Sequence, residues 1–392
     1  MNRILTSVLV LTLVGCSGQN GLTKKADAAL KTAVNQYTYL SAQVEPGQYP
    51  KTFEHNKLET SDSGWWCSGF YPGTLLYLDE AQNAPELKKE ALEFLKDLEK
   101  EQFNTTTHDL GFMMYCSFGN AERLSPDTEY EAILMKSAQS LSSRYNPVAK
   151  VIKSWDPAPW NGADPNEMPV IIDNMMNLEL LFWAARHSGD SRYYQMAVNH
   201  ADTTLKYHFR SDYSSFHVVV YDTATGQVTR QITNQGAADG SSWARGQSWG
   251  LYGYTVMYRE TKDKKYLVQA QNIADYILAN LPKDKVPYWD YQAPGIPHAL
   301  RDSSAAAVTA SALLELQQYV DKETAARYTL EANAMLETLL KPDYLADNKQ
   351  NGCFILKHGV GNMPKNSEVD VPLTYGDYYF VEALMRYKKL KG

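Results

Sequence analysis

The stretch Val170–Ala185, VIIDNMMNLELLFWAA, is apolar almost all the way round, a pattern that predicts a helix buried inside a domain. Asp173 interrupts it, and on a helix Asn174 and Asn177 would share one narrow polar stripe with Asp173. A carboxylate in such a place must be paired, hydrogen-bonded or in contact with a wet cavity. Asp173 is therefore either a structural group that bonds a neighbouring helix end or a functional acid.

The stretch Ser241–Thr261, SSWARGQSWGLYGYTVMYRET, predicts a second helix. Arg245 and Trp249 are four residues apart and project from one face of it. A buried Arg needs an anion or a stacking partner. It either pairs with a structural carboxylate or clamps a substrate carboxylate, with Trp249 offering a flat face to a sugar ring. A stripe of small residues, where another helix can approach closely, is formed by Gly246, Gly250 and Gly253.

His108 and Asp109 immediately precede the helical run LGFMMYCSFG. An Asp in that position is most often an N-cap, so Asp109 is either a cap or a second functional carboxylate. Trp65 and Trp66 precede a Gly/Pro turn in GWWCSGFYPG, where aromatic side chains serve as core residues or stack on sugars.

A hairpin is predicted around Phe216–Thr233, because HVVVYD and QVTRQIT flank the turn Ala224-Thr225-Gly226. It is the only β structure that the pattern predicts, placed as a loop on one rim of the fold. His217 lies within this hairpin and Gln235 just after it, and both can donate hydrogen bonds to hydroxyls or a carboxylate.

Helix follows helix along the rest of the chain, paired by short polar turns. Buried and amphipathic helices alternate, which predicts an all-α fold with an inner ring wrapped by an outer ring, the (α/α)6 barrel. An open helical solenoid is disfavoured because no strict repeat recurs. A weak repeat, an Asp that opens a helix with a Tyr further in, occurs at Asp190/Tyr193, Asp263/Tyr266 and Asp321/Tyr328. The twelve predicted helices lie near 22–42, 70–82, 85–102, 110–119, 128–144, 170–187, 191–208, 243–261, 264–280, 303–319, 322–340 and 375–389.

The first residues, MNRILTSVLVLTLVGC, combine a basic start with an apolar run too short to span a bilayer. Residues 1–15 are therefore predicted to be a signal peptide, and Leu13-Val14-Gly15-Cys16 resembles the lipobox of bacterial lipoproteins. Cys16 would then carry the lipid and residues 16–21 would form a short tether. We expect an exported lipoprotein, periplasmic or at the cell surface, that meets the membrane through this anchor only. No linker divides residues 22–392, which predicts one catalytic domain.

Composition excludes several classes of function. A net charge of -7 argues against a nucleic-acid partner, and Cys67, Cys116 and Cys353 are too widely spaced for a disulfide framework or a zinc knuckle. No HExxH, GxSxG, Walker or dinucleotide-binding motif occurs, so neither a metal nor another cofactor is expected. Carboxylates, an Arg and many Trp and Tyr remain, which is typical of a carbohydrate-active site. We expect a monomer or a weak homo-oligomer, although no sequence pattern decides between them.

Taken together, these residues resemble the unsaturated glucuronyl hydrolases of glycoside hydrolase family 88. The matching segments follow one another across nearly the whole chain after the tether. They are WWCSGFYPG, HDLGF, SWDP, VIIDNMMNLELLFWAA, FHVVVYD, NQG, WARGQSWGLYGYTVMYRET and NSEVDVPLTYGDYYFVEAL.

The resemblance implies an (α/α)6 barrel that removes the 4,5-unsaturated uronic acid left by polysaccharide lyases on glycosaminoglycan fragments. Asp173 would be the general acid/base and Asp109 the second essential carboxylate. For the Trp of SWDP, Trp155, the nearby Trp160 is a competing match. The residues that would bind substrate are His108, Trp66, Trp155, His217, Gln235, Arg245 and Trp249.

Such a substrate is an enol ether, so protonation at C4 and addition of water at C5 would lead to loss of the aglycone. Chondroitin, hyaluronan and heparin fragments all carry this sugar, and Lys365 is a candidate contact for a sulfate. Two alternatives stay open at this point: an unsaturated rhamnogalacturonyl hydrolase acting on pectin fragments, and a non-catalytic glycan-binding surface lipoprotein.

Overall fold

The computed structural model describes the backbone of residues 11–391 and the side chains of residues 21–391. Most of the predicted leader, 1–15, and the side chain of Cys16 fall outside this description. Within the described part of the chain, no helix is both long and apolar enough to cross a membrane.

Six helical segments form an inner ring in which each packs against the next, and the last packs against the first. Helices α8, α10 and α12 of this ring are buried over most of their length because they have neighbours on both sides. The ring confirms the predicted all-α (α/α)6 barrel. Its members are α2 (Phe70–Gln82), the π-helix Gly111–Gly119, α6 (Leu178–Ser188), α8 (Ala244–Thr261), α10 (Ser303–Leu316) and α12 (Thr374–Lys391).

The outer ring covers the inner one with amphipathic helices, and the short helix α4 (Asn120–Leu124) continues the π-helix. The predicted Asp-to-Tyr repeat is confirmed on three of these helices. Asp190, Asp263 and Asp321 each accept a backbone N–H as the N-cap. The paired tyrosines are buried against the inner ring. The outer helices are α1 (Leu11–Ser41), α3 (Pro85–Leu98), α5 (Thr128–Ser142), α7 (Ser191–Tyr207), α9 (Lys264–Asn280) and α11 (Lys322–Leu339).

The expectation of a single β-hairpin is wrong, because the described residues contain four small antiparallel sheets. The predicted hairpin does form, as the strands β6 and β7, but a third strand, β5, pairs with β6. The strands are β1 (Tyr49–Glu54), β2 (Lys57–Ser61), β3 (Tyr145–Asn146), β4 (Val151–Ile152), β5 (Glu167–Ile171), β6 (Val218–Asp222), β7 (Val228–Ile232), β8 (Gly359–Asn362) and β9 (Ser367–Val371).

The single buried helix predicted for 170–187 is also wrong. Strand β5 runs to Ile171, a 3-10 segment spans Ile172–Asn177, and only then does α6 begin at Leu178. A short apolar run has no periodicity that separates a buried strand from a buried helix, and here pairing with β6 decides the outcome. Asp173 therefore lies just past the end of a strand, in the first turn of a tight helix.

The 3-10 segment packs directly against the glycine stripe on α8. A Cβ added at Gly253 would lie 2.5 Å from the Cβ of Met175 and 3.2 Å from its carbonyl group. At Gly250 the nearest atom would be the ring of Phe209, at 3.3 Å. The predicted close approach is confirmed, and its partner is the segment that carries Asp173.

We expect Gly253→Ala to lower the free energy of unfolding by about 1–3 kcal/mol, because the new methyl group overlaps a packed neighbour. Gly250→Ala is the matched control, since the Phe209 ring can shift and Ala favours the helix by about 0.5–1 kcal/mol. Urea unfolding followed by circular dichroism measures both changes. Equal losses in the two variants would contradict the proposed packing.

Candidate active site

Two cavities are lined by residues of the inner ring, at opposite ends of the barrel. The larger, about 810 Å³, contains the later turns of α8 and α12. Its guanidinium groups are already paired, Arg259 with Glu179 and Glu315, and Arg386 with Glu315 and Glu382. The smaller, about 290 Å³, contains both predicted catalytic aspartates, so we identify it as the candidate active site.

The smaller cavity brings together segments that are far apart in the sequence. Seven of the nine predicted site residues line it, whereas His217 and Trp249 lie behind its surface and are almost fully buried. Among residues 21–391, no group of three or more His, Cys, Asp or Glu side chains is placed to hold a metal ion. The seven are Trp66, His108, Asp109, Trp155, Asp173, Gln235 and Arg245.

Sheet register brings Asp173 next to His217. Ile171 pairs with Val218, and the backbone N–H of Ile172 donates to the carbonyl of His217 at 3.0 Å. The Nε2 atom of His217 then lies 3.8 Å from Oδ2 of Asp173. Because Nδ1 of His217 accepts the backbone N–H groups of Asn234 and Gln235, the proton of the neutral ring is on Nε2.

The second carboxylate, Asp109, is held by a second imidazole. Nε2 of His108 lies 3.3 Å from Oδ1 of Asp109, and the hydroxyl of Thr107 donates to Oδ2 at 2.8 Å. The side-chain amide of Asn177 donates to Nδ1 of His108 at 3.4 Å, which leaves the Nε2 proton directed to the carboxylate. Asp109 therefore is not the N-cap of the following helix, whose cap residue is Leu110 and lacks a side-chain bond.

The asparagines of the predicted polar stripe position the backbone. Asn177 accepts the N–H of Phe112, in the first turn of the π-helix, at 3.0 Å. Asn174 donates to the carbonyl of Ile152 at 2.7 Å. Asn177 thus ties the Asp173 segment to the Asp109 segment, and neither asparagine lines the cavity.

Burial controls the ionisation of the site. Desolvation raises the pKa of Asp173 to about 7; the Arg245 guanidinium opposes this rise and the Asp109 carboxylate adds to it. Burial also lowers the pKa of His217 to about 3 and lowers that of His108 below its ordinary value. Both imidazoles are therefore neutral near pH 7, while Asp173 is divided between its two forms.

Arg245 is paired with a structural carboxylate, which was one of the two alternatives. Its Nη1 donates to Oδ2 of Asp302 at 2.8 Å, and both side chains are almost fully buried. Its Nη atoms also donate to the carbonyls of Val360 and Gly361, at 2.5 and 2.7 Å. Only Nε has no partner in the protein, so Arg245 cannot offer both Nη groups to a substrate without breaking these bonds.

The expectation that Trp249 presents a flat face to a sugar is wrong, because its side chain is 0% exposed. Its ring packs against Phe112 at 5.2 Å and Tyr379 at 5.3 Å, and these three rings form an aromatic layer between the two cavities. The indole N–H has no hydrogen-bond partner, but it is close enough to the Asp173 carboxyl to favour its charged form.

Other tryptophans surround the mouth of the cavity. Trp155 and Trp160, the competing candidates, both line it, and their rings meet edge to face at 5.0 Å. Trp160 is 54% exposed, and Nζ of Lys365 lies 4.9 Å from its ring centre. Trp65, which also lines the cavity, is 46% exposed. The mouth therefore offers aromatic faces with a lysine beside two of them, Lys365 at Trp160 and Lys51 at Trp65.

Sequence reasoning missed several residues of the site. Tyr375 and Glu368 line the cavity, and Asp302 anchors Arg245 from behind it. Asp302 opens α10 as an N-cap, a position that gives a sequence signal for capping but none for pairing with Arg245. Tyr375 follows strand β9 in the first turn of α12, and the segment NSEVDVPLTYGDYYFVEAL that contains it was the available signal.

Gln235 lies where the hairpin prediction placed it, at the edge of the cavity. Its side-chain amide donates to the carbonyl of Gly361 at 3.0 Å, and its backbone N–H donates to His217. It therefore links the segment after the hairpin to strand β8 and keeps one amide proton available.

Known proteins are similar to this chain over nearly its whole length. An unsaturated glucuronyl hydrolase from Formosa agariphila is 43% identical over 407 residues, which cover 100% of this chain and 99% of that protein. An unsaturated chondroitin disaccharide hydrolase from Streptococcus agalactiae is 32% identical, covering 94% of this chain and 93% of that protein. No protein-family model matches the chain.

Solved structures agree with these relatives. An unsaturated glucuronyl hydrolase described as specific for heparin superposes with a TM-score of 0.90 at 43% identity, covering 94% of this chain and 98% of that one. The unsaturated glucuronyl hydrolase of Bacillus sp. GL1 superposes with a TM-score of 0.86 at 28% identity, covering 91% and 95%. Identity over the full length and a shared barrel together show that the chain belongs to the unsaturated glucuronyl hydrolases, a family of glycoside hydrolases.

Proposed function

We propose that the protein removes the 4,5-unsaturated uronic acid from the non-reducing end of lyase-generated glycosaminoglycan oligosaccharides, with Asp173 as the general acid. The observation that carries the proposal is a buried carboxyl with a pKa of about 7 in a cavity that also holds a second carboxylate, Asp109. A group with such a pKa can both give and take a proton near neutral pH.

The reaction uses the enol ether of the substrate. Asp173 protonates C4, which leaves an oxocarbenium-like centre at C5, and water adds to C5 as a carboxylate takes its proton. The resulting hemiketal opens to a ketone at C5 and a hemiacetal at C1, and the hemiacetal releases the aglycone as an alcohol. The C4–C5 double bond is lost, and no covalent enzyme intermediate is needed.

Two neutral imidazoles suit this chemistry. His217 places an N–H 3.8 Å from Asp173, and His108 places one 3.3 Å from Asp109. Because neither ring is charged near neutral pH, His217 does not lower the pKa of Asp173 as an imidazolium would. Asp173 can thus keep a proton for C4 while each carboxyl is held in place.

The mouth of the cavity suits the second sugar of the oligosaccharide. Trp155 and Trp160 provide faces for stacking, and Lys365 is positioned to meet an anionic substituent such as sulfate. One relative is named as a chondroitin disaccharide hydrolase, and one solved relative is described as specific for heparin. Sulfated and unsulfated disaccharides of chondroitin and heparin are therefore among the first substrates to test.

Asp173→Asn should lower kcat by about 10²- to 10⁴-fold, because the amide cannot protonate C4. The assay is the loss of ultraviolet absorbance from unsaturated chondroitin, hyaluronan and heparin disaccharides, with circular dichroism to confirm folding. Asp263→Asn is the control, since Asp263 caps an outer helix and Asn caps equally well. Full activity of folded Asp173→Asn would exclude Asp173 as the acid, and binding of disaccharides by the wild type without absorbance loss would favour a glycan-binding protein.

The pH profile should follow the protonated form of Asp173. With a pKa raised to about 7, that form is lost as the pH rises through this value, so kcat/KM should fall by about tenfold per pH unit above it. Initial rates on one disaccharide between about pH 5 and about pH 9 give the profile. A constant kcat/KM across the alkaline half would rule out a protonated Asp173 as the reactive form.

We also propose that the protein is exported and anchored through a lipid on Cys16, either in the periplasm or at the cell surface. Support comes from the basic start at Arg3, the apolar run that follows it, and the lipobox-like Leu13-Val14-Gly15-Cys16. A chain anchored in this way needs no membrane-spanning helix.

In a bacterial host, the wild-type protein should incorporate labelled palmitate and sediment with membranes. Cys16→Ala should lose the label and the membrane association, whereas Cys67→Ala, a buried position in the barrel, should keep both. Retention of the label by Cys16→Ala would contradict the anchor.

A further inference from the structure

Unpartnered polar atoms collect around Asp173. Among the described residues, buried donors without a hydrogen-bond partner include Nε2 of His217, Nε of Arg245, Nε1 of Trp249 and the hydroxyl of Tyr375, while Oδ2 of Asp173 is a buried acceptor without one. Leaving such a group unpaired destabilises a folded protein, so a cluster of them needs an explanation.

The cluster has more donors than acceptors. Four N–H or O–H groups belong to it, against two unpartnered acceptors, Oδ2 of Asp173 and Oδ1 of Asn174. Two of the donors, Nε of Arg245 and the hydroxyl of Tyr375, belong to residues that line the cavity, so a ligand that satisfies them must bring acceptor oxygens. Arg245 adds positive charge close by, since its guanidinium carbon lies 5.0 Å from the ring centre of Tyr375. An anionic, acceptor-rich group such as a carboxylate fits both requirements.

Tyr375 is the member of this cluster that has no assigned role. It lies in the first turn of α12, is 2% exposed and lines the cavity. Its ring packs against Trp66 at 4.9 Å and Phe70 at 6.1 Å. The ring is therefore fixed by its neighbours, although the hydroxyl bonds to none of them.

Helices α8 and α12 face each other through two matched contacts. Arg245 lies over Tyr375, and one turn further along both helices Trp249 packs against Tyr379. Arg245 and Tyr375 thus form the pair that lines the cavity, and Trp249 and Tyr379 form the pair behind it. Burial also raises the pKa of Tyr375 well above its ordinary value, so the hydroxyl keeps the proton that it can donate.

We propose that Tyr375 is a substrate-binding residue whose hydroxyl donates a hydrogen bond to the carboxylate of the bound unsaturated uronic acid. This inference rests on the proposed function, which supplies the ligand. The carboxylate is conjugated to the double bond, so a donor fixed by the ring of Tyr375 also fixes the plane in which C4 meets Asp173. The Nη atoms of Arg245 are bonded to Asp302 and backbone carbonyls, so the hydroxyl adds a second donor beside the Nε atom that Arg245 still has available.

The test is Tyr375→Phe, which removes only the hydroxyl. We expect kcat/KM on an unsaturated disaccharide to fall by about 10- to 100-fold, the loss of one hydrogen bond to a charged group, mainly through a higher KM. The Tm should be unchanged or higher, because an unpaired buried donor has been removed. A purely structural role would instead lower the Tm and leave KM unchanged.

Tyr37→Phe is the matched control. The hydroxyl of Tyr37 donates to Oδ2 of Asp377 at 3.0 Å and neither residue lines the cavity, so this variant should lose Tm and keep its KM. A Tyr375→Phe enzyme with KM and kcat/KM within twofold of the wild type, or one that loses activity only together with Tm, would overturn the inference. Inactivity of the wild type on every unsaturated disaccharide would instead overturn the proposed function.

Discussion

The buried ion pair between Arg245 and Asp302 is the interaction on which the site depends. It joins α8 to the start of α10, and through the carbonyls of Val360 and Gly361 it also holds strand β8. Since both side chains are almost fully buried, removing either one would strand the other as an uncompensated charge, at a cost of about 3–5 kcal/mol. The same guanidinium limits how far burial raises the pKa of Asp173. One ion pair therefore both holds these elements together and limits the pKa of Asp173.

The two aspartates reach the cavity by different structural means. Asp173 follows a short strand whose register with β6 brings His217 alongside, and the glycine stripe of α8 lets this segment lie against the inner ring. Asp109 precedes a π-helix, a rare form that often occurs at functional sites. Asn177 connects the two segments through Phe112 and His108. The relative position of the carboxyls is thus fixed by backbone contacts as well as by packing.

Features that depend on residues close together in the sequence could be predicted from it. Helical periodicity gave the barrel, and the Asp caps and the α8 glycines behaved as their local chemistry requires. The strand before Asp173 could not be predicted, because its formation depends on pairing with a segment more than forty residues later. The same limit applies to Asp302 and Tyr375, whose partners lie on other helices. The resemblance supplied the two aspartates, but it did not indicate that Trp249 is buried or that the Nη atoms of Arg245 are occupied.

The aromatic layer of Phe112, Trp249 and Tyr379 closes the barrel behind Asp173. A polysaccharide therefore cannot thread through the barrel, and an internal sugar of a long chain cannot reach the acid with both of its neighbours attached. Only a terminal residue enters this blind-ended pocket, and it must leave through the same opening. The geometry thus restricts the enzyme to a chain end, from which it removes a single sugar.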